Sequence, residues 1–432
     1  MIKKLVVQPV SKLKGSFSVQ GDKSISHRAI MLAALSQGET EITNFLSAED
    51  CLNTVQCFKE MGVKITPNKI TNSTKKIHVQ GVGLDGLKLP EKELYAGNSG
   101  TTIRLLTGIL AAQKFNTVIN GDASIQKRPM ARIVKPLQEM GAQISGEYAP
   151  LKIFGQALKP IHYHTPMASA QVKSCILLAG LFCDGITSVT EPAASRDHTE
   201  RMLEYLGANI TRQGLTVSIE GRPLIEAKPI FVPGDISSAA FLIVTGLILN
   251  KAEIVVQNVG INPTRTGILE VLRKMGGDIV LEKEREMNGE PVADIRVVSS
   301  ALNGITVEGT MIPRMIDEIP ILAVAAACAK GTTVIKDAKE LRVKESDRIQ
   351  SMVSELKKFG VKIFARDDGM LIEGGGHLHA AECESHGDHR VAMACAIAGL
   401  AVTGNDKTII NNVDCIKTSF PGFLDFIKAW RG

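Results

Sequence analysis

The residues of this 432-residue sequence best suited to chemistry gather in short polar runs, most of them just ahead of an apolar helix-like stretch. The first is GDKSISHR, residues 21–28, which follows the alternating segment GSFSVQ (15–20) and leads into the small-residue run AIMLAAL (29–35). That order predicts a strand, a sharp polar turn and a helix start. The first turn of a helix presents unpaired N–H groups and a partial positive charge, so it favours an anion. Lys23, Ser24, Ser26, His27 and Arg28 add cations and hydroxyls there, a composition that suits phosphate or carboxylate. The Gly-x4-Gly-Lys-Ser/Thr spacing of a nucleotide-binding P-loop is missing. Taken alone, the stretch reads equally as an N-cap serine among surface cations.

The arrangement recurs. GNSGTTIR (97–104) sets Gly97, Asn98 and Gly100 ahead of a helix, where backbone can approach a ligand closely. GDASIQKRPM (121–130) carries Arg128 before Pro129, which stiffens its backbone. Ser169 and Gln171 open a helix with Lys173 one turn on, and Ser195-Arg196-Asp197-His198 precedes another. PGDISS (233–238), MIDEIP (315–320) and HGDHR (386–390, with Arg390) complete the series of six starts. Asp317 in MIDEIP reads as an N-cap or as a general base, the one carboxylate among anion-friendly positions. LRVKESDR (341–348) concentrates Arg342, Lys344, Glu345 and Arg348, and a helix starting there would put Lys344 and Arg348 on one face. Six N-termini converging on one cleft imply a strongly anionic ligand.

The elements that position these runs are legible as a repeat. Apolar-x-x-apolar-Gly-x-x-Ile occurs with its glycine at 62, 141, 207, 276 and 360. It reads as the end of an amphipathic helix, a left-handed C′ glycine and a following strand. Upstream of each copy lies a small-residue helix with a β-branched strand behind it; downstream lies a hairpin, as in KKIHVQG (75–81) and LTVSIEG (215–221). The repeated unit is therefore helix–strand–helix–hairpin. A sixth unit begins at His386 and ends the chain without a hairpin, so residues 1–20, read as a hairpin, are expected to complete it. One domain is expected over 21–228, and the other over 1–20 plus 229–432, with the active site in the cleft between them.

Composition narrows the class. A 44% apolar fraction is ordinary for a globular protein, and aromatics are scarce at 4%. Fifty basic against 45 acidic residues, net +5, is too slight an excess for a nucleic-acid partner, and no aromatic interleaving supports base stacking. The eight cysteines form no CxxC pair and sit mostly in apolar stretches, which suits a reducing cytoplasm. No apolar h-region follows the charged N-terminus, and the longest apolar run (239–249) is too short for a bilayer, so neither signal peptide nor membrane is expected. His377, His379, His386 and His389 lack a recognisable ligand set, so no metal is expected.

Taken in order, GDKSISHRA, GNSGTTIRLL, GDASIQKRPM, SAQVKS, IDEIP, RVKESDR and DHR resemble the 5-enolpyruvylshikimate-3-phosphate synthase family of enolpyruvyl transferases, over essentially the whole chain. The resemblance implies an α/β fold, a two-domain inside-out α/β barrel in which each domain has three βαβαββ units in pseudo-threefold symmetry. It implies transfer of the enolpyruvyl group of phosphoenolpyruvate to the 5-hydroxyl of shikimate 3-phosphate, without metal or organic cofactor, by a monomer. It places shikimate 3-phosphate on Lys23, Ser24, Arg28, Ser169, Gln171, Arg196, Asp317 and Lys344. It places phosphoenolpyruvate on Lys23, Gly100, Arg128, Gln171, Arg348 and Arg390. Asp317 would take the hydroxyl proton, and Glu345, with Lys23 as rival, would exchange a proton at the methylene carbon. The family's Ser-Ser-Gln is Ser169-Ala170-Gln171 here, and Lys417 lies one residue farther from Pro421 than the substrate-binding Lys of some members. These departures look like the bacterial branch that diverges from the plant type, and glyphosate is expected to compete with phosphoenolpyruvate. A sister family acting on UDP-N-acetylglucosamine carries a reactive Cys in the loop matching 121–130, which has none here. A non-catalytic anion- or RNA-binding module would need the cations but neither Asp317 nor Glu345.

Overall fold

The structure, a computed structural model, describes residues 4–71, 74 and 76–430. The first residues of the N-terminal segment (1–3), residue 75 of the KKIHVQG strand and residues 431 and 432 lie outside the described residues. Contacts divide the chain into two units, one of Gly21–Pro233 with Glu286–Glu290, the other of Met1–Gln20, Gly234–Arg285 and Pro291–Gly432. The first holds helices α1 (Lys23–Leu35), α2 (Glu49–Glu60), α3 (Gly100–Ala111), α4 (Ala131–Glu139), α5 (Ala170–Gly180) and α6 (His198–Tyr205). The second holds α7 (Ile236–Ile248), α8 (Gly267–Lys274), α9 (Ile319–Cys328), α10 (Arg348–Lys358), α11 (His389–Leu400) and α12 (Phe423–Ala429).

Odd and even helices do different work. Past their first two turns α1, α3, α5, α7, α9 and α11 are apolar or small on every face, and a helix of that kind is stable only when surrounded. Accordingly α1 is buried from Ile25 to Leu35 and α7 from Ile236 to Leu247. Small residues let these helices approach closely: a Cβ on Gly108 of α3 would stand 2.3 Å from the Cys175 carbonyl oxygen of α5. In the second unit α7, α9 and α11 touch one another. Even helices such as α2, α4 and α10 bury one face only.

The repeated glycines end five of the even helices. Gly62, Gly141, Gly207, Gly276 and Gly360 have φ of 85, 96, 98, 98 and 86° and directly follow the C-caps Met61, Met140, Leu206, Met275 and Phe359. The N–H after each glycine donates back to the first apolar residue of the motif, as in Val63 to Phe58, Ala142 to Leu137 and Val361 to Leu356. This back-bonded ending needs a residue at ease with positive φ, which explains the glycine.

Each odd helix from α1 to α9 feeds a strand that pairs antiparallel with the hairpin after the next even helix. Gln37–Thr43, for example, pairs with Lys76–Val82, which pairs with Lys64–Thr66. Lys4–Val7 joins the sixth sheet beside Thr408–Asn411. The rest of the N-terminal segment departs from the expected hairpin: Lys14–Ser18 runs parallel to Glu253–Gly260 in the sheet of the fourth repeat. Reciprocally, Ile230–Phe231, which leads into α7, runs parallel to Gln37–Thr43 of the first. A parallel partner requires a long connection, and the two strands that lead into α1 and α7 are exchanged because the intervening chain supplies one. Among the described residues no helix is long and apolar enough to cross a membrane.

A chain of buried hydroxyls joins three helices of the first unit. His27 Nδ1 lies 2.7 Å from Thr54 Oγ1, Thr54 Oγ1 2.7 Å from Thr102 Oγ1, and Thr102 donates to the Ser99 N-cap at 2.7 Å. Burial pushes the His27 imidazole down to about 3 from its ordinary 6.5. A histidine held neutral in the fold contributes stability that is present above its unfolded pKa and lost as pH falls toward its folded one. Urea unfolding from about pH 7.5 down to about pH 4 should therefore cost the wild type more stability than His27→Gln; parallel profiles would contradict this origin of acid sensitivity.

Candidate active site

In the first unit the polar residues sit where the odd helices begin. The N-caps are Asp22, Ser99 and Ser169, whose side chains accept from Ile25, Thr102 and Val172 N–H respectively. Lys23 opens α1 with its ammonium 2.5 Å from Asp50 Oδ2. Ser24 is half-buried beside it, and its carbonyl accepts from Arg28 Nη1 at 2.9 Å. Arg28 is buried, and its other nitrogens donate to Thr199 Oγ1 (2.6 Å, from Nε) and Ser174 Oγ (2.8 Å, from Nη2). Burial pulls its pKa down to about 10, with Glu200 and Asp22 opposing and Arg196 assisting. It stays charged at neutral pH and ties α1 to α5 and α6.

Gly100, Arg128 and Gln171 come together around a residue the sequence did not single out. Arg104 of α3 donates from Nη1 to Gln171 Oε1 at 2.9 Å, and a Cβ on Gly100 would lie 2.6 Å from that Nη1 and 3.5 Å from Arg128 Nη1. Arg128 is extended (φ −89, ψ 128) and donates to Asn98 Oδ1 at 2.8 Å and Ser124 Oγ at 3.2 Å. Burial, helped by the charges of Arg132 and Arg128, lowers Arg104 to about 9. Arginines this close are stable together only with counter-charge nearby, so the group favours an anion. Arg104 was hidden because it sits inside an otherwise apolar helix, where it reads as a boundary residue.

In the second unit the centre is Arg348, the first residue of α10 and 1% exposed. It donates from Nη1 to Asp317 Oδ1 at 3.3 Å, from Nη2 to Glu345 Oε2 at 2.7 Å, and from Nε to Asp388 Oδ2 at 2.8 Å. Burial alone would weaken its charge, but Glu345, Asp388 and Asp317 outweigh it and raise its pKa. Arg390 Nε stands 4.0 Å from Asp317 Oδ1. Asp388 caps α11 through Arg390 N–H at 2.8 Å. Asp317 is not a cap: Glu318 holds that position in α9, its side chain on the Ser237 hydroxyl instead of the helix backbone. Burial pushes the Glu318 carboxyl up.

Lys344 corrects the reading of LRVKESDR. The helix starts at Arg348 and Lys344 is extended (ψ −152) after a short 3-10 turn, so the two share no helical face. Its ammonium pairs with Glu340 Oε1 at 2.6 Å. Asp347 takes the N-cap of α10 and forces the chain before it out of helix. Lys417 is exposed and pairs with Asp414 at 3.2 Å. Arg196 is half-buried in the loop ahead of α6, where Asp197 leaves the cap unmade and pairs with Arg201 at 2.8 Å. No group of three or more His, Cys, Asp or Glu able to hold a metal occurs among the described residues.

Comparison with known proteins gives one answer. The family model for EPSP synthase (3-phosphoshikimate 1-carboxyvinyltransferase) matches residues 7–427. The chain is 56% identical over 428 residues to the 3-phosphoshikimate 1-carboxyvinyltransferase of Desulforamulus reducens, covering 98% of each. It is 53% identical over 427 residues to that of Brevibacillus brevis, covering 98% of this chain and 99% of the other. A solved structure of EPSP synthase from Acinetobacter baumannii superposes with a TM-score of 0.91 at 48% identity, over 99% of this chain and 98% of that one.

The Arg348 network makes its own prediction. Removing one partner of a buried charge cluster leaves the others uncompensated, at about 3–5 kcal/mol. Arg348→Met should lower unfolding free energy in urea by about that much. Arg348→Lys should fall between, since one ammonium replaces a three-way fork. Wild-type stability in the Met variant would refute the role.

Proposed function

We infer the chemistry from one premise: the chain belongs to the EPSP synthase (3-phosphoshikimate 1-carboxyvinyltransferase) family. It is an enzyme of the shikimate pathway that transfers the enolpyruvyl group of phosphoenolpyruvate to the 5-hydroxyl of shikimate 3-phosphate and releases phosphate. The hydroxyl oxygen bonds to C2 while C3 takes a proton, giving a tetrahedral adduct. The C2–O bond to phosphate then breaks and C3 gives up a proton, restoring the double bond.

Our assignment of residues follows the charge each group brings. Lys23, Ser24, Arg28, Ser169, Gln171, Arg196, Asp317 and Lys344 hold shikimate 3-phosphate; Lys23, Gly100, Arg128, Gln171, Arg348 and Arg390 hold phosphoenolpyruvate. Both substrates are polyanions, so the cations must neutralise them before the hydroxyl can reach C2. Holding the two in register offsets roughly 7–11 kcal/mol of the barrier. Asp317 accepts the hydroxyl proton, and Glu345 exchanges the proton at the methylene carbon, with Lys23 as its rival for that role. The observation that carries this division is the Arg348 guanidinium, which holds Asp317 on one nitrogen and Glu345 on another. An acid and a base fixed to one rigid fork keep their spacing while protons move. The enzyme works as a cytoplasmic monomer on small-molecule substrates.

Phosphate release from phosphoenolpyruvate should require shikimate 3-phosphate. Asp317→Asn should lower kcat roughly 10²–10⁴-fold while shikimate 3-phosphate still binds; survival of turnover would remove Asp317 from the mechanism. Glyphosate should inhibit competitively with phosphoenolpyruvate. Gly100→Ala, which crowds the Arg104 guanidinium, should weaken that inhibition; equal inhibition of both proteins would count against Gly100 as part of the site.

A further inference from the structure

Behind Ser169 and Arg196 lies a buried carboxylate that neither the reaction nor the sequence motifs use. Glu191 follows the strand Ile186–Thr190, is 4% exposed, and has its own N–H fixed on the Leu215 carbonyl at 3.1 Å. Its Oε1 accepts the Ser169 N–H at 2.8 Å. Its Oε2 accepts the Ser195 hydroxyl at 2.8 Å and lies 2.8 Å from Lys173 Nζ. Lys173 is itself buried, reaches Glu200 Oε1 at 2.9 Å and donates to the Ser195 carbonyl at 3.5 Å. One side chain thus joins the residue that caps α5 to the loop that presents Arg196.

We propose that Glu191 is a positioning residue for the shikimate 3-phosphate site, fixing Ser169 and the 195–196 loop at one spacing. The proposal rests on the reading of Ser169 and Arg196 as ligands of that substrate. All three groups facing the carboxylate are donors: an amide N–H, a hydroxyl and an ammonium. Only an acceptor on both branches satisfies them, so a carboxylate fits and an amide does not. In Glu191→Gln the NH2 must face either the Ser169 N–H or the Lys173 ammonium, and one of the two anchors lets go. Lys173 then keeps a single counter-charge in Glu200. Glu191→Asp keeps the charge beside Lys173, and therefore the fold, but is too short to span Ser169 and Ser195 together.

Steady-state kinetics on the full-length enzyme, below each variant's unfolding temperature, test this. Loss of a hydrogen bond to a charged group predicts roughly a tenfold or greater rise in KM for shikimate 3-phosphate in Glu191→Gln. KM for phosphoenolpyruvate should stay within about twofold, and Glu191→Asp should fall between wild type and Gln. Calorimetric titration of shikimate 3-phosphate should show the same order of affinities. A lowered Tm with KM for shikimate 3-phosphate unchanged, or equal rises in both KM values, would reduce Glu191 to a stabilising role and overturn the proposal. Arg196→Gln separates the two readings. If that variant binds shikimate 3-phosphate like the wild type, the ligand assignment fails and Glu191 has no substrate contact to position there. If it weakens binding while Glu191→Gln and Glu191→Asp do not, the ligand assignment stands and the positioning role alone is wrong.

Discussion

A helix buried on every side can meet polar matter only at its ends, and that constraint organises both units. Past their first two turns the odd-numbered helices carry few polar side chains, so the unpaired N–H groups and the charged residues of those first turns are the local source of electrostatic demand. Asp22, Ser99, Ser169, Asp235 and Asp388 meet part of it by capping. The remainder favours anions, and the cations found beside these starts strengthen a preference the backbone already has. Packing, capping and substrate charge are thus consequences of one composition, small and apolar side chains repeated six times.

Charge inside the protein is managed in a second way, by sharing. Arg348 divides its nitrogens among three carboxylates, and Lys173 sits between Glu191 and Glu200. Isolated, any of these groups would be costly to bury; joined, each fixes the direction of the others. Arg28 follows the same logic with neutral partners, using hydroxyls and a carbonyl on three elements. Such groups have little freedom left to lose, because their geometry is already set.

How much of this was legible depends on whether the signal is local. The C′ glycines were readable because a positive φ after a helix is demanded by the residues on either side of it. The starts of α1, α3, α5, α7 and α11 were readable for the same reason. The exchange of Lys14–Ser18 and Ile230–Phe231 was not, because an alternating strand announces its faces but not its neighbour. Arg104 was masked by the apolar helix around it. Glu191 sits between Thr190 and Pro192 with no spacing that points to Ser169, twenty-odd positions earlier. Lys344 was misjudged because one competing cap, Asp347, moved the helix start past it.

The exchanged strands bear on how the chain is made. Residues 4–18 leave the ribosome before their partners, Glu253–Gly260 and Thr408–Asn411, which lie hundreds of residues downstream. Gly21–Pro233, by contrast, contains its own edge strand, so the earlier-synthesised unit can finish its first sheet as soon as Ile230–Phe231 emerges. Lys4–Val7 and Lys14–Ser18 must wait as unpaired strands until those partners have been made, the kind of strand edge that invites wrong pairing. Lysines at 4, 12 and 14 give that waiting segment a charge that discourages association with other chains.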